Sequence, residues 1–84
     1  MPEKLRQIGV CETGLNWRAG GPKYVTAFGL WKPNWERARR ALHLPDWTKA
    51  TPAQQVAAAL WHYRWVQRTY HMSPSAAWTS WGCG

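Results

Sequence analysis

Acidic residues are scarce: only Glu3, Glu12, Glu36 and Asp46 stand against 11 Lys and Arg in 84 residues, leaving a net charge of +7. The sequence pI of about 10.1 favours an anionic partner, with nucleic acid, acidic cell-wall polymer and anionic membrane surface as the candidates. No run approaches the roughly 18 consecutive apolar residues that a membrane span needs. Met1–Gln7 turns charged at once and has no apolar core of a signal peptide, so a mature domain, a fragment or a product released without a signal is expected. His43, His62 and His71 form neither H-x-x-x-H nor H-x-x-E-H, and the only two cysteines lie far apart, so no metal site is expected. Nucleotide fingerprints are also missing, and no cofactor is expected.

Tryptophan is what the chain has in excess: eight, against one Phe and three Tyr. A domain of this size buries only roughly 60–65% of its unfolded surface, so eight indoles exceed what its core can hide. Each carries an N–H that seeks a partner, which predicts that some rings line a wet groove. Residues 1–84 form a single domain on length alone.

The pattern along the chain is mainly α, with about four helices and one short extended or hairpin element. Pro2 and Gly14 bracket a helix over Glu3–Glu12, in which Leu5, Ile8, Gly9 and Glu12 share one stripe. A carboxylate on an apolar stripe is unusual, and loss of hydration there favours its neutral, proton-donating form. Residues 14–22 read as loop, and Lys23–Leu30 as a short extended piece or hairpin. A second helix begins near Pro33, with Trp35, Ala38, Ala41 and Leu42 inward, Glu36, Arg37, Arg39 and Arg40 solvated, and Pro45 as its stop. Thr51-Pro52-Ala53-Gln54 is a capping-box start for a long helix to about Tyr70. Val56, Ala59, Leu60, Tyr63, Val66 and Tyr70 are its expected core face, Trp61 and Trp65 a second stripe. Ser73-Pro74 opens a last short helix through Trp78.

Cys11-Glu12-Thr13-Gly14-Leu15-Asn16-Trp17, read with Ala50-Thr51-Pro52-Ala53-Gln54-Gln55-Val56-Ala57-Ala58-Ala59 and Trp78-Thr79-Ser80-Trp81-Gly82-Cys83, carries a resemblance over nearly the whole chain. The order and spacing resemble the lysozyme-like domain of resuscitation-promoting factors and related transglycosylase-like domains, which also occur as cell-wall lysins in phage tails. That resemblance implies a small lysozyme-like fold and makes Glu12 the catalytic acid. Ala27-Phe28-Gly29-Leu30-Trp31-Lys32 is similar to the A-x-G-L-M-Q segment of soluble lytic transglycosylases, with Trp31 and Lys32 replacing its Met and Gln. Thr13 likewise replaces the usual Ser. Tyr24, Thr26, Trp31, Lys32, Gln54 and Tyr63 are the substrate contacts implied.

The family pairs the cysteines that correspond to Cys11 and Cys83, which implies a staple here; two buried free thiols are the other reading. Glycoside hydrolysis ordinarily uses two carboxylates. Glu3 lies about 13 Å from Glu12 along the helix, Glu36 sits among arginines and Asp46 follows Pro45. One-carboxylate chemistry therefore fits better, as in lytic transglycosylases, with muramidase hydrolysis open. The resemblance implies a bacterial peptidoglycan substrate cut between N-acetylmuramic acid and N-acetylglucosamine. It also implies a monomeric domain, alone or within a larger protein, working outside the cell, in the wall or on a phage tail. A non-enzymatic basic helical module for nucleic acid and an inactive glycan-binding relative are the alternatives.

Overall fold

Pro2 and Gly14 bound the first helix as their chemistry requires. In the computed structural model, which describes all residues Met1–Gly84, α1 spans Glu3–Thr13 and closes with Gly14 at φ 69°. The Gly14 and Leu15 N–H groups donate to Val10 and Gly9 carbonyls at 2.8 and 2.9 Å, satisfying the helix end. A two-stranded antiparallel hairpin follows, β1 (Tyr24–Val25) and β2 (Leu30–Trp31), with Tyr24 opposite Trp31 and Val25 opposite Leu30. Helix α2 (Lys32–Leu42) leaves β2 directly, and a 3₁₀ turn at Trp47–Lys49 leads to α3 (Pro52–Tyr70). The short α4 (Pro74–Ala77) and a 3₁₀ turn (Trp78–Ser80) bring the chain to its end.

Thr51 and Gln54 make the expected capping box at the start of α3. Thr51 Oγ1 accepts from the Gln54 N–H at 3.2 Å, and Gln54 Oε1 accepts from the Thr51 N–H at 2.9 Å. Helix α2 stops before Pro45, because His43 takes the left-handed conformation and the Leu44 N–H returns to the Arg39 carbonyl at 2.8 Å. The domain is mainly α, with four α-helices around one core of Leu5, Ile8, Val25, Phe28, Leu30, Trp35, Trp81 and four alanines. No helix is long and apolar enough to cross a membrane.

Two expectations from periodicity are corrected. Ala41 is exposed and Tyr70 is 62% exposed, while the buried face of α3 is Gln55, Ala58, Ala59, His62 and Val66. Polar side chains displace the apolar register because their hydrogen bonds are made inside. Gln55 Nε2 donates to the Trp17 and Ala50 carbonyls at 2.8 and 3.2 Å, and its Oε1 accepts from the Ala27 N–H at 3.0 Å. One buried amide thus ties the 14–22 loop, the hairpin and the start of α3. On α2, Arg40 is solvated as expected, with 76% of its side chain exposed, whereas Arg37 is not free. Arg39 and Arg40 pair with Glu36 at 3.0 and 3.6 Å, and Arg37 lies over the Trp65 ring at 3.8 Å.

Cys11 and Cys83 are joined as a disulfide, with Cα atoms 6.0 Å apart and 72 positions between them in sequence. It fastens the C-terminal segment to α1. A loop of that length is worth roughly 4–5 kcal/mol on the chain-entropy account. Reduction is expected to lower the melting temperature markedly, and alkylation should label both thiols only after reduction. Labelling of both in the oxidised native protein would contradict the bridge.

Candidate active site

Glu12 lies in the last turn of α1, half-buried, at the end of the stripe formed by Leu5, Ile8 and Gly9. The next residue anchors it. Thr13 Oγ1 donates to the Ala27 carbonyl at 2.6 Å and accepts from the Asn16 N–H at 3.0 Å, so the helix end is locked to the hairpin turn and to the following loop. Two glycines flank the carboxylate. Gly29 has φ 60°, and a Cβ there would stand 3.0 Å from Glu12 Oε2. On the other side the Cys83 N–H donates to Oε1 at 3.2 Å, with Gly82 beside it. The disulfide therefore does more than close the chain, since it delivers a hydrogen-bond donor to the carboxylate one residue from the bridge.

Open space lies on both sides of Glu12. A cavity of about 230 Å³ is lined by Glu12, Tyr24, Gly29, Leu30, Trp31, Asn34, His62, Ser80, Trp81 and Gly82. A second, of about 420 Å³, shares Glu12, Tyr24 and Gly29 with the first and extends along Thr13, Gly20, Gly21, Lys23 and Thr26. A third, of about 300 Å³, shares Asn34, His62 and Ser80 with the first and continues past Trp65, Tyr70 and Met72. The three form a row, with the carboxylate at one junction. A larger hollow of about 630 Å³, between Trp17 and Trp47, lies apart from Glu12 and has no carboxylate in its wall.

The cross-strand pair Tyr24 and Trp31, 58% and 50% exposed, lines the cavity beside Glu12. Thr26 lines the second cavity, buried and at φ 72°, a costly conformation for a β-branched residue. Its N–H donates to the Ala19 carbonyl at 2.9 Å, one of the contacts that hold it there. The other three implied contacts lie outside the row of cavities. Lys32 begins α2 and its N–H continues the hairpin ladder to the Lys23 carbonyl at 2.8 Å. Gln54 is consumed by the capping box. Tyr63 stacks on Trp78 with ring centroids 3.7 Å apart and donates its hydroxyl to the Pro74 carbonyl at 2.7 Å.

Asn34, His62, Ser80 and Trp81 belong to the cavity walls and were not singled out by the sequence. The signal for His62 was its place three residues after Ala59, on the core side of α3. Its imidazole is only 4% exposed, stacked against Trp65 at 5.9 Å and edge-on to Trp81 at 5.4 Å. Burial, with the Arg37 charge adding to it, pushes the His62 pKa down to about 4. The remaining carboxylates are occupied elsewhere. Arg6 pairs with Glu3 and holds its carboxyl below the ordinary value, Thr48 does the same for Asp46, and Glu36 carries Arg39 and Arg40.

No family model matches the chain, and comparison with curated proteins and with solved structures returns no match. Function is therefore read from the cleft.

The buried neutral histidine has a consequence for stability. Below an unfolded pKa of about 6.5 the unfolded chain takes up a proton that folded His62 refuses until about pH 4, so stability falls as pH is lowered through that window. Urea midpoints at pH 7 and pH 5 should differ in that direction, and His62→Phe should flatten the difference. A midpoint independent of pH would contradict the burial of a neutral imidazole.

Proposed function

We propose that this chain is a peptidoglycan-cleaving glycosidase that cuts the β-1,4 bond between N-acetylmuramic acid and N-acetylglucosamine, with Glu12 as its single acid and base. The observation that carries this reading is the place of Glu12. It is the one carboxylate in the row of cavities, it stands at a junction with space for sugars on both sides, and the other three are held in pairs or caps. The motifs around Glu12 and Cys83 support the same reading, as does a mainly α fold closed by one disulfide.

A single carboxylate in the cleft favours transglycosylation over hydrolysis. Protonated Glu12 gives its proton to the bridging oxygen as the C1–O bond breaks and the N-acetylglucosamine side leaves as an alcohol. The C6 hydroxyl of the muramyl residue then attacks C1, and the Glu12 carboxylate takes the hydroxyl proton. The product is a 1,6-anhydro sugar, water is not consumed, and Glu12 ends in its starting protonation state. The Cys83 N–H on Oε1 orients the carboxylate and stabilises its anionic form after the first transfer. Tyr24 and Trp31 offer ring surface to the sugars next to the cut bond.

The +7 charge suits a domain that works as a monomer on the anionic bacterial wall, outside the cytoplasm or on a phage tail. Clearing of purified walls should then weaken as salt is added, because exposed charges are screened within about 8 Å at physiological ionic strength. Salt-insensitive clearing would remove charge from the account.

Glu12→Gln is expected to keep the fold and the melting temperature within a few degrees while reducing wall clearing by two or more orders of magnitude, the scale of a lost acid–base group of roughly 10²–10⁴-fold. A folded Glu12→Gln protein that clears walls normally would overturn the assignment. So would a protein that releases nothing from walls yet retards duplex DNA at the same ionic strength.

A further inference from the structure

The largest hollow of the protein is one that the chemistry of Glu12 leaves unused. About 630 Å³ in volume, it opens between Trp17 and Trp47 and is walled further by Arg18, Thr48, Lys49 and Thr51. That volume is in the ordinary range of small-molecule sites, about 300–1,000 Å³. Both indoles are half-buried, and the four polar residues beside them are exposed, so the whole wall is open to a ligand.

The two rings are fixed before anything binds. Trp17 stands edge-on to Phe28 at 5.7 Å, and its carbonyl accepts from the buried Gln55 amide at 2.8 Å. Trp47 lies so close on Gly20 that a Cβ there would overlap its six-membered ring. The charge at the mouth is free as well. The ion pairs of the protein are Arg6 with Glu3, and Arg39 and Arg40 with Glu36, so Arg18 and Lys49 have no carboxylate partner. Asp46, the neighbour of Trp47 in sequence, is not in the wall, and its Oδ2 accepts from the Thr48 hydroxyl and N–H at 2.6 and 3.2 Å. One loop serves both this hollow and the cleft. Trp17 and Arg18 wall the hollow, and Ala19, Gly20 and Gly21, next in the chain, wall a cavity that contains Glu12.

We propose that the Trp17–Trp47 hollow is an accessory, non-catalytic binding site for an acidic sugar, whose apolar ring face lies on the indoles and whose carboxylate meets Arg18 and Lys49. An indole offers a large flat apolar surface, and a guanidinium presents a fork of donors matched to a carboxylate. Two cations at one mouth suit one anionic unit. A single strand of nucleic acid is instead tracked by a positively charged groove several nucleotides long, which this hollow does not form. The inference takes the source of the sugar, wall glycan, from the glycosidase reading and asks nothing of Glu12.

The test uses N-acetylmuramic acid and N-acetylglucosamine, which differ only in the lactyl group that carries the carboxylate. Each is titrated into ¹⁵N-labelled Glu12→Gln protein, and the indole N–H signals are followed ring by ring. The acidic sugar should move the Trp17 and Trp47 signals with an affinity at least about tenfold higher than the neutral one. Arg18→Glu with Lys49→Glu should abolish those shifts. Arg64→Glu with Arg68→Glu, which changes the net charge equally at a separate hollow beside Trp61, should leave them in place. All four side chains belong to exposed residues, so both double variants should keep their melting temperatures. On purified walls, the Arg18 and Lys49 reversal should weaken binding of the Glu12→Gln protein at least about tenfold, and the Arg64 and Arg68 reversal by no more than about threefold.

Equal responses to the two sugars, no response at Trp17 and Trp47, or equal losses in the two reversed pairs would overturn the inference. So would a tighter response of the same signals to a thymidine oligonucleotide than to the acidic sugar at one ionic strength. In each case, wall clearing that depends on Glu12 would leave the glycosidase reading standing. A protein that shows the expected shifts but clears no wall would keep this site and lose that reading.

Discussion

The bond between Cys11 and Cys83 is the constraint on which the rest depends. Residues 74–84 make few helical hydrogen bonds of their own, since α4 has four residues and the final turn three. Besides the bridge, their hold on the body is the packing of Ala77, Trp78 and Trp81 and the hydrogen bonds of Pro74 with Tyr63 and of Cys83 with Glu12. With it, Trp81 is fixed in the core, the Cys83 N–H reaches Glu12, and one wall of the cleft is covalently tied to the helix that carries the carboxylate. The fold's closure and the surroundings of the Glu12 carboxylate are thus coupled through one pair of residues.

The interior that results is more polar around the cleft than its composition implies. Gln55 is fully satisfied and links three segments, whereas His62 and Trp81 keep nitrogens without protein partners. The first arrangement serves the fold. The second, which Trp35 Nε1 shares in the core, costs folding free energy. Thr26 belongs to the same category, a β-branched residue held left-handed in the wall of the neighbouring cavity.

Much of the framework was legible because local chemistry decides it. Gly14 ends α1, Thr51 and Gln54 open α3, and Ser73 opens α4, each through a cap that needs only residues adjacent in sequence. The apolar stripe that ends in Glu12 was legible for the same reason. Periodicity placed Val56, Ala59, Leu60, Tyr63 and Val66 against the core but missed Gln55 and His62 on the buried face and misplaced Tyr70, and no local rule announces a hydrogen bond to a carbonyl 38 residues away. Lys32, Gln54 and Tyr63, carried across by motif, lie outside the row of cavities and serve a helix start, a cap and a stacked pair. Arg37 was read as solvated, although its guanidinium is drawn to Trp65 and Asn34 rather than to an acidic neighbour in sequence.

Mass spectrometry of the soluble fragments released from purified peptidoglycan tests the central claim most directly. A single carboxylate acting first as acid and then as base predicts muropeptides with 1,6-anhydro ends, lighter by one water than their reducing counterparts. Reducing-end fragments in their place would put water in the role given to the C6 hydroxyl and contradict the one-carboxylate mechanism. No released fragment at all would contradict the glycosidase itself.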